Sequence, residues 1–182
     1  MQFESTIQDP VSANGVGLHH GVPSSIRILP APGGTGLVFR RTDLNHFEIP
    51  ASFQHVARVS YATSLMRQGV LISTTEHLLS ALYSTGIDNA FIEIDNLEVP
   101  ILDGSSLPWV RLLKQAGIRK QRRQRRYLRI TREVCVEGTG KRISILPSDR
   151  FVLNCDVYFE HPMVGRQRLE VEVTPERYYE EI

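Results

Sequence analysis

The chain has 182 residues, enough for one large domain or two small ones, and its 41% hydrophobic and 23% charged content is that of an ordinary globular protein. Its formal net charge of +1 excludes a global field that recruits nucleic acid or membrane. No apolar run approaches the roughly 20 residues that span a bilayer, and the N-terminus lacks the basic and apolar regions of a signal peptide, so a cytoplasmic protein is expected.

In chain order, Ser25–Leu29 and Gly36–Arg40 alternate like strands around the turn-forming Pro30-Ala31-Pro32-Gly33-Gly34. A helix is predicted from about Thr74 to Thr85, with Ser73 as its cap and Gly86 ending it in a left-handed conformation. Asn89–Ile94 puts Ala90, Ile92 and Ile94 on one strand face. Ser105-Ser106-Leu107-Pro108 opens a second helix, Trp109, Leu112, Leu113 and Ala116 follow at helical spacing, and Gly117 ends it. Two helices on one face of a sheet predict an α+β, two-layer sandwich domain over residues 1–118.

Residues 119–126 are a polar, basic run, Arg119-Lys120-Gln121-Arg122-Arg123-Gln124-Arg125-Arg126. A solvated linker is preferred there over nucleic-acid contact, because no aromatic is interleaved for base stacking. An electrostatic contact with an anionic partner is a weaker reading. From 127 to 182 the pattern is mainly β. Tyr127–Val136, Arg142–Leu146, Phe151–Phe159 and Arg168–Val173 are the predicted strands. Cys135 and Cys155 sit in alternating apolar patterns, so both are expected to be reduced core residues. Thr174-Pro175-Glu176 starts a helix that runs barely two turns to Ile182, so this second domain is expected to be incomplete, cut off as its covering helix begins.

The chemistry lies in Ser73-Thr74-Thr75-Glu76-His77-Leu78-Leu79-Ser80-Ala81, which sets a carboxylate beside an imidazole at a helix start. These groups offer a metal-dependent hydrolase one base and one ligand. The competing reading is structural, because Ser73-x-x-Glu76 is also a capping box and a single histidine is commonly a partly buried side chain. His19, His20, His46, His55 and His161 are candidate further ligands, yet none forms an H-x-x-H or H-x-x-x-D pair with another usable residue. Asp103-Gly104 makes a good turn, and that reading is preferred for Asp103 over a site role.

Five segments, in order and spacing, carry a family resemblance: Gly15-Val16-Gly17-Leu18-His19, Leu37-Val38-Phe39-Arg40-Arg41-Thr42-Asp43, Thr75-Glu76-His77-Leu78-Leu79-Ser80-Ala81, Gly86-Ile87-Asp88-Asn89 and Val99-Pro100-Ile101-Leu102-Asp103-Gly104-Ser105. Together they resemble the UDP-3-O-acyl-N-acetylglucosamine deacetylases, zinc amidases of lipid A biosynthesis in Gram-negative bacteria. Tyr127–Val134 and Phe159-Glu160-His161-Pro162 extend the likeness into the second region. The resemblance implies two similarly built domains with the active site between them. It implies His77 as a zinc ligand, Glu76 as general base toward the metal-bound water, and a UDP-linked acylated glucosamine as substrate. It also implies a histidine and an aspartate ligand from an H-x-x-x-D helix, which does not occur in this sequence. The chain is therefore expected to be the N-terminal part of a deacetylase, complete only if a complementing C-terminal half comes from another chain, with self-association or another chain covering the exposed sheet from about residue 127 onward. The alternative is a non-catalytic remnant that binds a partner or a sugar nucleotide.

Overall fold

The computed structural model describes residues 2–181. The chain forms two compact units. One runs to Arg125 and takes in the chain from Tyr179 onward; the other is Arg126–Tyr178.

In the first unit, strands β1 (Phe3–Ile7), β2 (Val11–Val16), β3 (Pro23–Pro30), β4 (Leu37–Arg41) and β5 (Phe47–Pro50) are followed by the short strands β6 (Val56–Arg58), β7 (Ser64–Arg67) and β8 (Val70–Ile72). Helix α1 (Glu76–Ser84), strand β9 (Ala90–Ile94), helix α2 (Leu107–Ala116) and strand β10 (Ile118–Gln124) complete it. The main sheet has the order β2-β3-β9-β4-β5, with β4 and β9 parallel and the other pairs antiparallel. One cross-strand row joins Ile28, Ile92, Phe39 and Ile49. All four are at most 1% exposed, so the apolar face predicted from the period-2 pattern is the core. The next row over carries Arg27, Glu93, Arg40 and Glu48, with Arg40 Nε donating to Glu48 Oε1 at 2.9 Å. Period-2 alternation thus separates an apolar from a charged face.

A parallel β4–β9 pair requires a long crossover. That crossover holds the three-stranded β6-β7-β8 sheet and α1. Helix α1 buries Leu78, Ala81 and Leu82, α2 buries Trp109, Val110, Leu113 and Ala116, and the two helices pack together. Each of the leucines and Val110 contributes about 1.5–3 kcal/mol relative to exposure, and each alanine methyl about 0.8 kcal/mol. Gly86, at φ 78°, and Gly117, at φ 69°, end the helices as expected. The α+β architecture read from the sequence is the one found.

The basic run at 119–126 is a strand through Gln124: β10 pairs antiparallel with β1, Ile118 lying opposite Ile7, while its side chains other than Gln121 stay exposed. A ladder partner and two carboxylates account for this: Arg123 meets Glu4 at 3.3 Å and Arg125 meets Asp88 at 2.7 Å. Gln121 adds bonds to Ala31 O at 2.7 Å and from Asn89 Nδ2 at 2.8 Å.

The second unit contains β11 (Val134–Gly138), β12 (Lys141–Ile145), β13 (Val152–Tyr158), β14 (Arg166–Glu172) and the start of the short helix α3 (Pro175–Glu181), which crosses the unit boundary after Tyr178. The strands form two separate hairpin ladders, β11-β12 and β13-β14. The strand expected from Tyr127 begins only at Val134, because β12 ends at Ile145, opposite Val134, and Pro147 has no N–H to extend it. Two-stranded ladders leave their faces open. Cys135 and Cys155 are accordingly exposed and free, not core residues. Leu128, Val136, Leu153 and Phe159 are exposed too, whereas Val171 and Tyr178 are buried. Ile182, the last residue of the expected helix, lies outside the described residues.

Candidate active site

Glu76 and His77 form the first turn of α1, both half-buried. The approach to that turn is unusual. Ser73 pairs with the 97–99 segment in a parallel bridge: its N–H donates to Leu97 O at 2.8 Å, and its carbonyl accepts from Val99 N–H at 3.1 Å. Thr74 then adopts φ 58°, a left-handed conformation that is a genuine outlier for a β-branched residue. Thr75, not Ser73, is the N-cap, and no side chain caps the helix. The capping-box geometry is absent. Glu76 Oε2 accepts instead from the Thr63 N–H at 3.0 Å. The Thr63 carbonyl in turn accepts from Thr75 N–H at 3.2 Å and from Thr75 Oγ1 at 3.0 Å. The segment before β7 therefore fixes both the entry to the helix and the Glu76 carboxylate. An acid in the first turn is also favoured by the helix dipole.

Behind this turn lies a buried carboxylate that the sequence reading did not single out. The Glu98 side chain is fully buried and accepts four hydrogen bonds. They come from His19 N–H at 2.9 Å, His20 N–H at 2.9 Å, His20 Nδ1 at 2.8 Å and Thr74 Oγ1 at 2.7 Å. Burial by itself would raise the Glu98 pKa, but these donors, led by His19 N–H and Thr74 Oγ1, outweigh it and hold the carboxyl at about 2. The signal available in the sequence was an acid set among apolar residues, Leu97-Glu98-Val99-Pro100. A cavity of about 630 Å³ opens beside this cluster, lined among others by His19, His20, Ser60, Tyr61, Ser64 and Ser73.

His20, His46, His55 and His161 each have a ring nitrogen within reach of another group. His46 Nδ1 lies 3.7 Å from Glu93, and His55 Nδ1 lies 2.8 Å from Ser52 Oγ. His161 Nδ1 accepts from Met163 N–H at 3.2 Å. His20 closes on Glu98 through both its N–H and its Nδ1, whereas His19 does so through its N–H and lines the cavity. Asp103 accepts from Ser105 N–H and Oγ, both at 2.9 Å, which is the expected turn. Catalytic zinc typically takes three protein ligands. Among the described residues no group of three or more His, Cys, Asp or Glu side chains could hold a metal ion. The donor set present does not fit a complete zinc centre.

The model of the family described as UDP-3-O-acyl N-acetylglycosamine deacetylase matches residues 4–182. The UDP-3-O-acyl-N-acetylglucosamine deacetylase of Solibacter usitatus is 69% identical over 182 residues, 100% of this chain and 61% of that protein. The protein of the same name from Cellvibrio japonicus is 42% identical over 174 residues, covering 95% of this chain and 57% of its own length. That from Nautilia profundicola is 38% identical over 179 residues, covering 98% and 61%. The chain thus spans about three-fifths of the length of these relatives.

Proposed function

The chain belongs to the UDP-3-O-acyl N-acetylglycosamine deacetylase family, and from that premise we propose that it carries the base-bearing part of an amide hydrolase of lipid A biosynthesis. The substrate class is a UDP-linked, 3-O-acylated N-acetylglucosamine. Glu76 accepts a proton from the water that attacks the acetyl carbon. The C–N bond breaks, the amine takes up the proton, and acetate leaves. The observation that carries this reading is the Thr63 N–H bond to Glu76 Oε2, which orients a half-buried carboxylate away from any capping role. General base catalysis of this kind contributes about 10²–10⁴-fold.

His77 is proposed as the zinc ligand this chain supplies, with further donors coming from polypeptide beyond the described residues. The described residues do not complete that centre by themselves. Among the described residues no helix is long and apolar enough to cross a membrane; action in the cytoplasm on a nucleotide-linked substrate is part of the proposal. The donor shortfall favours one second reading, that the chain alone is a non-catalytic module binding a sugar nucleotide or a protein partner.

The test is acetate release from the UDP-linked substrate by the longer polypeptide that provides the remaining donors. Glu76→Gln keeps the shape and removes the base, and a fall of about 10²–10⁴-fold in kcat is expected. Activity that survives both Glu76→Gln and His77→Ala removes these roles.

A further inference from the structure

We propose that Glu98 is a positioning residue for the Glu76–His77 pair, acting by holding Thr74 in the left-handed turn that launches α1. The inference rests on the roles given to Glu76 and His77 above.

The argument starts from strain. A threonine at φ 58° crowds its branched Cβ against the backbone and persists only where the surroundings over-determine it. Here the determinants are visible. Ser73 is pinned to the 97–99 strand segment on one side, and Thr75 is pinned to the Thr63 carbonyl on the other. Between them the Thr74 hydroxyl donates to Glu98 Oε1 at 2.7 Å. Glu98 in turn cannot swing away. Its side chain has no exposed surface, and the other donors come from His19 and His20 at the end of a separate loop. A carboxylate fixed by several donors is a rigid acceptor, and a charge-assisted bond to it is stronger than one between neutral groups.

Removing that bond frees Thr74 to relax toward an ordinary conformation. The relaxation rotates the peptide that begins α1. The first groups to feel it are Thr75, bonded to Thr63 O, and Glu76, bonded to Thr63 N–H. Glu98 thus reaches Glu76 through a chain of contacts, Thr74 to Thr75 to Thr63, without touching it. In this it differs from a residue that only stabilises the 17–20 loop.

The test uses the full chain and its backbone amide resonances. The Thr63 amide reports its carboxylate acceptor directly, and Glu76→Gln supplies the reference for that bond altered. Thr74→Val keeps shape and branching but deletes the hydroxyl; Thr74→Ser keeps the hydroxyl. The expectation is that Thr74→Val and Glu98→Gln move the Thr63 amide toward its position in Glu76→Gln and speed its hydrogen exchange by about ten-fold, whereas Thr74→Ser leaves both as in the parent. In the longer catalytic polypeptide, Thr74→Val should lower kcat about ten-fold at unchanged KM, with Thr74→Ser restoring it. A Thr63 amide unmoved by Thr74→Val and Glu98→Gln, with only the unfolding midpoint lowered, overturns the proposal and leaves Glu98 a structural group. If the amide responds as expected but kcat is indifferent to Glu76→Gln itself, the positioning holds and the catalytic role of Glu76 fails.

Discussion

Gly17→Ala puts the Glu98 cluster under a defined load. A Cβ built on Gly17 would lie 2.8 Å from Glu98 Cδ, closer than such atoms approach, and a tight 3.0 Å from Cγ. The carboxylate has nowhere to retreat, because its side chain is fully buried and tied by four donors. Overpacking of this kind costs about 1–3 kcal/mol. Displacing the carboxylate enough to lose one bond to a charged acceptor adds about 1.5–3 kcal/mol. The lower unfolded-state entropy of alanine returns about 0.4–1 kcal/mol. The net destabilisation is about 1.5–5.5 kcal/mol. With a urea slope of about 2 kcal/mol/M the midpoint should fall by about 0.7–3 M. The assay is urea unfolding followed by tryptophan fluorescence. Trp109 is the single tryptophan and is fully buried in α2, so its signal reports the first unit. A midpoint within about 0.2 M of the parent would refute the reasoning, since it requires Glu98 to accommodate the methyl group without losing its bonds.

Glu98 also sets a pH dependence. Its folded pKa is held at about 2 against 4.5 for the free group, so the stability it confers is fully present above about pH 4.5 and is lost as pH falls toward 2. The contribution is about 3 kcal/mol, and subtracting the urea midpoints of Glu98→Gln from those of the parent across that window isolates it from Asp43, whose pKa is also lowered; parallel curves would contradict it. Metal analysis after dialysis against a weak chelator should find far less than one zinc per chain, because no group of three donors is assembled among the described residues; one tightly held zinc would point back to His19, His20 and Asp103. Hydrogen exchange should show β3 and β9, whose inward residues are buried, protected well beyond β13 and β14, whose apolar residues include exposed Leu153, Val157 and Leu169; equal protection would show that exposure does not set local stability here.

Much of the first unit was legible in the sequence because its signals are local. Ala90, Ile92 and Ile94 alternate, Trp109, Leu113 and Ala116 recur at helical spacing, and glycines stand where φ must turn positive. The Glu76–His77 pair was legible for the same reason, since adjacent residues at a helix start need no long-range information to be noticed. The family, too, was legible, because five short segments in a fixed order are together far more specific than any one alone.

What depended on distant partners was not legible. The run from Ile118 to Gln124 has the composition of a solvated segment, and it is a strand because β1, more than a hundred residues earlier, offers a ladder and Glu4 lies beside Arg123. Tyr127–Glu133 has the composition of a strand, yet the ladder with β12 begins only at Val134, opposite Ile145. Ser73-x-x-Glu76 fits a capping box, yet Thr63 takes the Glu76 carboxylate and Thr75 takes the cap position. Glu98 is the clearest case. One acid in an apolar stretch has no meaning until folding brings His19, His20 and Thr74 around it, from positions 79, 78 and 24 residues away in the chain. Periodicity and capping are properties of neighbours in sequence, whereas the satisfaction of a buried charge is decided only by what the tertiary structure places within hydrogen-bonding distance.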